Sequence, residues 1–139
     1  MARVNLNRAA IARVVGAKSK AAARRAAEAT RDRTRANIVR SGRVGTGAMA
    51  ASIVMRDVTV DPLRPTFEVG PKRGSRATRY FRYQEQGTQA HGPVTAQALR
   101  FRPRGSRVFI FRKWVRGVVA GHFLRRATRS IRARDYLPR

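Results

Sequence analysis

The chain has 139 residues, of which 32 are Lys or Arg and 7 are Asp or Glu, so its formal charge is +25. This length suits one compact domain with a modest core, and the charge exceeds what solubility requires, which predicts a polyanion or an acidic surface as a partner. The lack of cysteine excludes disulfides and thiolate metal sites, and we expect neither a membrane span nor a signal peptide because no apolar run is long enough.

The first predicted element is a long helix over residues 7–39. Ala, Arg and Lys dominate this proline-free stretch, and Asn5 or Asn7 would cap its start. Its apolar stripe, from Ile11 through several alanines to Ile38, is narrow and buries little area. Two interpretations stay open. The helix either projects or packs on other copies, or it lies across its own sheet with arginine stems covering apolar surface.

A glycine-rich break follows at residues 41–47, with the sequence SGRVGTG. A nucleotide P-loop needs Gly-Lys-Ser/Thr after its glycine turn so that the lysine reaches the phosphates, and this stretch lacks that sequence. We therefore do not expect nucleotide binding. Thr46 is instead predicted to cap a short helical turn that ends near Ala51.

Two β-hairpins are predicted from β-branched and aromatic stretches separated by turn residues. The first pairs residues 53–60 with 66–69, and the second pairs residues 98–101 with 107–115. The last of these strands carries apolar side chains on both faces, which predicts burial on both, either in the fold or in an assembly. Between the hairpins, residues 72–78 (KRGSRAT) are predicted to form a mobile basic loop.

The chain closes with a predicted amphipathic helix at residues 119–132. The order helix, hairpin, helix or loop, hairpin, helix predicts an α+β fold with one antiparallel sheet of about four strands. We expect a single domain over residues 1–139. It would consist of the N-terminal helix at 1–40, an α+β core at 46–132 and a tail at 133–139.

The sequence offers no catalytic constellation. Its 7 acidic residues are scattered, without the paired group that general acid-base work requires. His91 and His122 have no second ligand at metal-binding spacing, and no Gly-x-Ser-x-Gly element is present. We therefore expect a protein that is not an enzyme and that has no cofactor and no metal. Without a zinc finger, RNP motif or KH loop, its charge predicts only non-specific phosphate contact.

Three segments carry a resemblance to a known family: residues 46–53 (TGAMAASI), residues 80–88 (YFRYQEQGT) and residues 115–127, which end in GHFLRRA. In this order and spacing they resemble the neck and tail-completion proteins of long-tailed bacteriophages, which join the head connector to the tail tube. The family often has proline before the late Phe-Leu, where this chain has Gly121 and His122.

The resemblance implies a homo-oligomeric ring in the virion neck, six- or twelve-fold, around the channel through which genome DNA passes. Its partners would be the head connector or stopper and the tail tube or tail terminator. Assembly would take place in the host cytoplasm, without a membrane. The arginines would line the channel or face acidic surfaces of these partners.

Glu85 is the only acidic residue between Glu68 and Asp135. We predict that it pairs with an arginine of its own fold or of the next subunit, and losing one partner of such a buried pair costs about 3–5 kcal/mol. The alternative is an exposed side chain worth less than about 1 kcal/mol. Gly87 is predicted to adopt a positive φ that a side chain would forbid.

Two sets of residues are predicted to form contacts in the assembly. The predicted interface residues are Thr46, Gly47, Ser52, Ile53, Tyr80, Tyr83, Glu85, Gly87, Thr88, Phe109, Phe111, Trp114, Phe123 and Leu124. The residues predicted to contact DNA or an acidic partner are Arg24, Arg25, Arg31, Arg35, Lys72, Arg73 and Arg76. A second class of function stays open, a small basic protein that binds DNA or RNA non-specifically. It explains the charge with fewer assumptions but leaves the two-sided apolar strand unexplained.

Overall fold

The computed structural model describes residues 8–42, 47–103 and 105–136, and they form a mixed fold of helices and antiparallel hairpins. The helices are α1 (Arg8–Arg40), α2 (Ala48–Ser52), α3 (Arg76–Gln86) and α4 (Phe123–Arg129), followed by a 3-10 turn at Ala133–Asp135. The strands are β1 (Ile53–Asp57), β2 (Phe67–Pro71), β3 (Leu99–Phe101) and β4 (Ile110–Arg112). The α+β class predicted from the sequence is confirmed.

The two hairpins form separate sheets. β1 pairs antiparallel with β2, and β3 pairs antiparallel with β4, but the two pairs share no ladder. The prediction of one sheet of about four strands is therefore wrong, although the number of strands is right. α3 follows β2 in the chain and packs against α2 and β2. The second hairpin is joined to the preceding segment by an isolated bridge between His91 and Val115.

The predicted long helix is confirmed, and most of α1 lies across the chain's own hairpin and α4. Its buried seam consists of Ala22, Ala27, Thr30, Thr34 and Ile38. Arg35 fastens α1 to the first hairpin, because its Nε and Nη2 donate to the carbonyl oxygen of Ile53 at 3.1 and 2.6 Å. Near the start of the helix, Val14 and Val15 are exposed. Of the two interpretations, the helix that lies across its own fold is the one observed.

The core is small and collects one side chain from each of five elements. Ile38 of α1, Ala50 of α2, Ile53 of β1, Phe81 of α3 and Phe123 of α4 form one buried cluster. Phe123 is the largest fully buried side chain among the described residues, with 1% of its surface exposed. Since burying a large apolar side chain contributes about 1.5–3 kcal/mol, this cluster fixes α3 and α4 relative to α1.

Several predicted boundaries shift. Residues 72–78 are not simply a loop, because α3 begins at Arg76 with Ser75 as its N-cap, whose hydroxyl accepts a hydrogen bond from the Thr78 N–H at 3.3 Å. Short polar side chains thus start a helix where the sequence predicted a basic loop. The closing helix is shorter than predicted, since Phe123 is its first residue. In the first hairpin β1 ends at Asp57, so the loop is longer than predicted.

The predicted caps of the first two helices fall partly outside the described residues. Asn5, Asn7 and Thr46 lie there. The residue in the N-cap position of α2 is Gly47, with φ of 71° and no side-chain hydrogen bond.

Candidate assembly interface

Glu85 caps the last helix. Its Oε2 accepts a hydrogen bond from the Leu124 N–H at 3.2 Å, and its Oε1 accepts one from the Arg125 N–H at 3.1 Å. An N-cap side chain normally satisfies these first-turn N–H groups, but His122 occupies that position with φ of 49° and makes no such bond. The partial positive charge at the N-terminal end of α4 also stabilises this carboxylate. Among the described residues no arginine pairs with Glu85, and pairing with an arginine of the next subunit stays a prediction.

Gly87 and Thr88 fasten the end of α3 to the segment that precedes α4. Gly87 has φ of 77°, which confirms the predicted positive φ, and a Cβ there would lie 2.6 Å from the carbonyl oxygen of Val118. The Thr88 N–H donates to that oxygen at 2.8 Å, and the Val118 N–H donates to Thr88 Oγ1 at 2.9 Å. The Glu-x-Gly-Thr sequence is thus a structural clasp inside one chain. We call Glu85, Gly87, Thr88 and their contacts with residues 118–125 the α3–α4 clasp.

The exposed face of α3 lies beside this clasp and carries two aromatic rings. Tyr80 and Tyr83 are 65% and 55% exposed. They border a cavity of about 670 Å³ that Gln84, His91 and Val118 also line. Gln84 Oε1 is buried and has no hydrogen-bond partner among the described residues. A buried acceptor without a donor costs about 1–3 kcal/mol, so Gln84 Oε1 destabilises this part of the chain.

The β3–β4 hairpin exposes most of its large apolar side chains. The exposed residues, between 40% and 70% accessible, are Phe101, Val108, Phe109, Phe111 and Trp114. Arg100 and Arg102 place their guanidinium carbons 4.5 and 5.9 Å from the centre of the Phe109 ring, so one ring is partly covered by cations. The prediction that both faces of the last strand are buried within the fold is therefore wrong. The two strands of this hairpin contact mainly each other. Burial in an assembly stays a prediction.

The remaining predicted interface residues mainly hold the fold together. Ile53 and Phe123 belong to the buried core, and Leu124 packs against it partly buried. The Ser52 hydroxyl donates to the carbonyl oxygen of Met49 at 2.7 Å, and both residues belong to the short helix α2. The predicted set therefore divides into interior residues and the exposed aromatic residues of α3 and the second hairpin.

Most of the basic residues predicted to contact DNA have partners in their own chain. The ion pairs are Arg24 with Glu28 at 3.0 Å, Arg31 with Asp32 at 2.8 Å and Arg73 with Glu68 at 3.4 Å. Hydrogen bonding between Arg31 and Asp32 lowers the pKa of Asp32 and raises that of Arg31. Arg35 is bound to a backbone carbonyl, while Arg25 and Lys72 are exposed. The side chain of Arg76 lies outside the described part.

Sequence reasoning missed a basic groove between α1 and the end of α4. The groove has a volume of about 620 Å³ and is lined by Arg33, Ala36, Asn37, Arg40, Arg126, Arg129, Ser130, Arg132 and Asp135. Residues 33–40 and 126–135 are far apart in the sequence, and only the packing of α4 against α1 brings them together. In the sequence, only the spacing of arginines within each helix indicates such a groove, and this spacing is common in basic helices.

Comparison with known proteins identifies no relative: no protein-family model, no curated protein and no solved structure matches the chain. None of the described helices is long and apolar enough to cross a membrane. In the described ranges, no group of three or more His, Asp or Glu side chains is placed to hold a metal ion.

Proposed function

We propose that the chain is a structural virion protein of a tailed bacteriophage, which forms a homo-oligomeric ring in the neck and joins the head connector to the tail around the DNA channel. The three sequence segments that resemble neck and tail-completion proteins support this proposal. They include the Glu-x-Gly-Thr sequence, whose members act together in the α3–α4 clasp.

The observation that carries the proposal is the apolar surface of the β3–β4 hairpin. Phe111 and Trp114 are 62% and 70% exposed on a hairpin that makes few contacts with the rest of the chain. Several large exposed apolar side chains on one hairpin are typical of an interaction site in soluble proteins. Aromatic side chains are also the residues that most often dominate binding energy at interfaces. A second copy of this chain is the occupant we propose.

The face of α3 with Tyr80 and Tyr83 is the second surface that a ring requires. Cyclic assemblies use heterologous contacts, in which one surface of each subunit meets a different surface of the next. The hairpin of one copy and the tyrosine cavity of the next would form such a pair.

The clasp positions these two surfaces relative to each other. It holds α3 through Glu85 and holds the segment that leads to the hairpin through Thr88. His91 continues that segment and pairs with Val115, at the base of the second hairpin strand. The proposed partners outside the ring are the head connector or stopper and the tail tube or tail terminator. The proposed location is the virion neck, after assembly in the host cytoplasm.

A paired set of serine variants tests this function. Val108→Ser with Phe111→Ser removes two exposed apolar side chains from the hairpin, and Val60→Ser with Val94→Ser removes two from other loops, where they are 97% and 99% exposed. Light scattering of nuclease-treated protein at moderate and high salt measures the mass. We expect the wild type and the loop variant to form the ring, alone or on added tail tubes, and the hairpin variant to remain a monomer.

The urea midpoint separates assembly from folding. Because these positions are exposed, we expect each variant's free energy of unfolding to stay within about 0.5 kcal/mol of the wild type per substitution. A hairpin variant that assembles like the wild type would contradict the proposal. A wild type that stays monomeric on tail tubes and retains nucleic acid would favour the second candidate, a small basic protein that binds DNA or RNA non-specifically.

A further inference from the structure

The groove between α1 and α4 brings five guanidinium groups to one place. Arg33 and Arg40 are separated by seven residues on α1, about 10 Å along the axis, and so lie on the same side of the helix. Arg126 and Arg129 lie one turn apart on α4, and Arg132 follows its end. All five line the same groove of about 620 Å³. We call these five residues the arginine groove.

Three hydrogen bonds hold the walls of this groove together. Arg33 Nη1 donates to the carbonyl oxygen and to the hydroxyl of Ser130, at 2.6 and 2.8 Å. Asn37 Nδ2 donates to the carbonyl oxygen of Phe123 at 3.0 Å, beside the buried core. α1 and α4 are therefore fixed relative to each other, and the arginines project from a rigid base that needs little ordering on binding.

The acidic residues of the chain do not neutralise the groove. Of the 7 acids, Asp135 alone lines it, and its nearest ion-pair partner is Arg134 at 3.9 Å, outside the set. The other acids are engaged elsewhere: Lys20 pairs with Asp57, arginines pair with Glu28, Asp32 and Glu68, the Leu63 N–H donates to Asp61, and Glu85 caps α4. Within the described residues, the guanidinium groups of Arg40, Arg126, Arg129 and Arg132 have no acidic partner. Five cations thus face one carboxylate.

The chemistry of the lining selects the class of ligand. Guanidinium groups bind phosphate oxygens in a bidentate way and remain charged at every accessible pH. Ala36 is the single apolar residue of the lining, and no aromatic side chain is present on which a base could stack. Since protein interfaces depend on buried apolar or aromatic anchors, an acidic protein surface fits this groove less well. We propose that the arginine groove binds the phosphodiester backbone of nucleic acid without reading its sequence.

This proposal places the contact surface for nucleic acid on the arginine groove and not on the residues that the sequence predicts. It does not depend on ring formation. Of the seven residues on which the sequence placed that surface, Arg24, Arg31 and Arg73 are paired with acids of the same chain. In a subunit whose neighbours docked through α3 and the second hairpin, the arginine groove would lie on different elements. Backbone contact there would require neither base recognition nor a conformational change.

Salt dependence of binding tests the groove directly. A fluorescently labelled mixed-sequence DNA duplex is titrated with the full chain by anisotropy at several NaCl concentrations. The groove variant is Arg126→Gln with Arg129→Gln. The matched control is Arg64→Gln with Arg116→Gln, two exposed arginines that lie outside the groove and whose replacement lowers the net charge equally. For the groove variant we expect at least about tenfold weaker binding at moderate salt, because hydrogen bonds to charged groups are lost.

The slope of the logarithm of affinity against the logarithm of salt concentration is negative, and its magnitude should fall by about 2 for the groove variant, since each phosphate contact contributes about 0.9. We expect the control to keep the wild-type slope. Equal losses in both variants, or no loss in the groove variant, would overturn the proposal. So would competition by poly-glutamate as effective as competition by unlabelled DNA at the same charge concentration, because that would favour an acidic protein partner.

Folding and oligomeric state are checked in the same samples by circular dichroism, urea unfolding and light scattering. If the groove variant unfolds too readily, Arg40→Gln with Arg132→Gln removes two groove cations outside α4, and the same loss of affinity and slope is expected. Comparing variants in one oligomeric state keeps the groove separate from the ring. A protein that forms no ring but shows the expected slopes would support the groove and contradict only the proposed neck function.

Discussion

The α3–α4 clasp and the β3–β4 hairpin are neighbours in the chain, yet they differ in whether their side chains have partners within the same chain. In the clasp, Glu85 and Thr88 hydrogen-bond to backbone groups of the same chain. In the hairpin, Phe111 and Trp114 remain largely exposed. The sequence predicts interface residues, aromatic and glycine among them, in both regions. The difference shows that the clasp maintains the fold, whereas the hairpin has surface that an additional partner would bury.

The largest expected effect comes from comparing two glycines of positive φ, one in each region. Gly87 of the clasp and Gly105 of the hairpin turn have φ of 77° and 81°. A Cβ on Gly87 would lie 2.6 Å from a backbone oxygen, whereas one on Gly105 would meet nothing within 4 Å. For Gly87→Ala we expect a loss of about 3 kcal/mol or more in the free energy of unfolding, from strain and steric overlap together.

For Gly105→Ala we expect only the backbone strain, about 1–2 kcal/mol. Urea unfolding followed by circular dichroism measures both variants. The two glycines share the sign and size of φ, but Gly87 also has ψ of 175°, a backbone region almost restricted to glycine, so the difference between the variants reports this strain together with the packing of the clasp. Equal losses would mean that the clasp is no more tightly packed than the hairpin turn, and the comparison would fail.

A smaller effect is expected from the two glutamates that differ in their partners. Glu85 accepts two backbone hydrogen bonds at the start of α4, whereas Glu68 lies 3.4 Å from the exposed Arg73. Losing a helix cap costs about 0.5–2 kcal/mol, so for Glu85→Ala we expect a loss in the upper part of this range because two N–H groups lose their acceptor.

For Glu68→Ala we expect less than about 1 kcal/mol, as is usual for exposed ion pairs. Thermal and urea unfolding of both variants provide the measurement. Hydrogen exchange of the Leu124 and Arg125 amides distinguishes a cap from a general packing effect, since Glu85→Ala should accelerate exchange at these two amides selectively. A Glu85→Ala variant as stable as Glu68→Ala would show that the carboxylate does not cap α4 in solution.

The sequence was sufficient where structure depends on neighbouring residues. The composition of α1, the alternation in the strands and the turn position of Gly87 are local properties, and the elements they predicted are present. α3 was left open between helix and loop because Ser75 stands in a basic stretch whose composition favours a loop, and its capping role depends on the geometry of one turn.

The sequence was insufficient where structure depends on packing between distant segments. The four strands are distributed over two separate sheets, and no strand pattern in the sequence reports this division. The Glu85 carboxylate lies 39 and 40 residues before its partners, so an arginine was the natural expectation in so basic a chain. The arginine groove likewise combines residues almost a hundred positions apart, as the bond from Arg33 to Ser130 illustrates.

The smallest expected effect concerns an ion pair between α1 and the first hairpin, which is exposed to solvent as the second hairpin is. Lys20 of α1 lies 2.7 Å from the carboxylate of Asp57 at the end of β1. The Lys20 ammonium, with hydrogen bonds from Thr59, lowers the pKa of Asp57 well below its usual range. Its stabilising contribution is therefore complete above the pKa of the unfolded state, about 4, and declines as the pH falls toward the lower pKa of the folded state.

For Asp57→Asn we accordingly expect a lower urea midpoint than the wild type at pH 7, by less than the Glu85→Ala change. The gap between the two midpoints should narrow as the pH is lowered from 4 to 3, because the wild type loses a stabilisation that the variant never had. Asp57 stays exposed, so raising the salt concentration should reduce the gap at pH 7 as well. A gap that is constant with pH and salt would instead show that the charge of Asp57 does not cause the difference between the two midpoints.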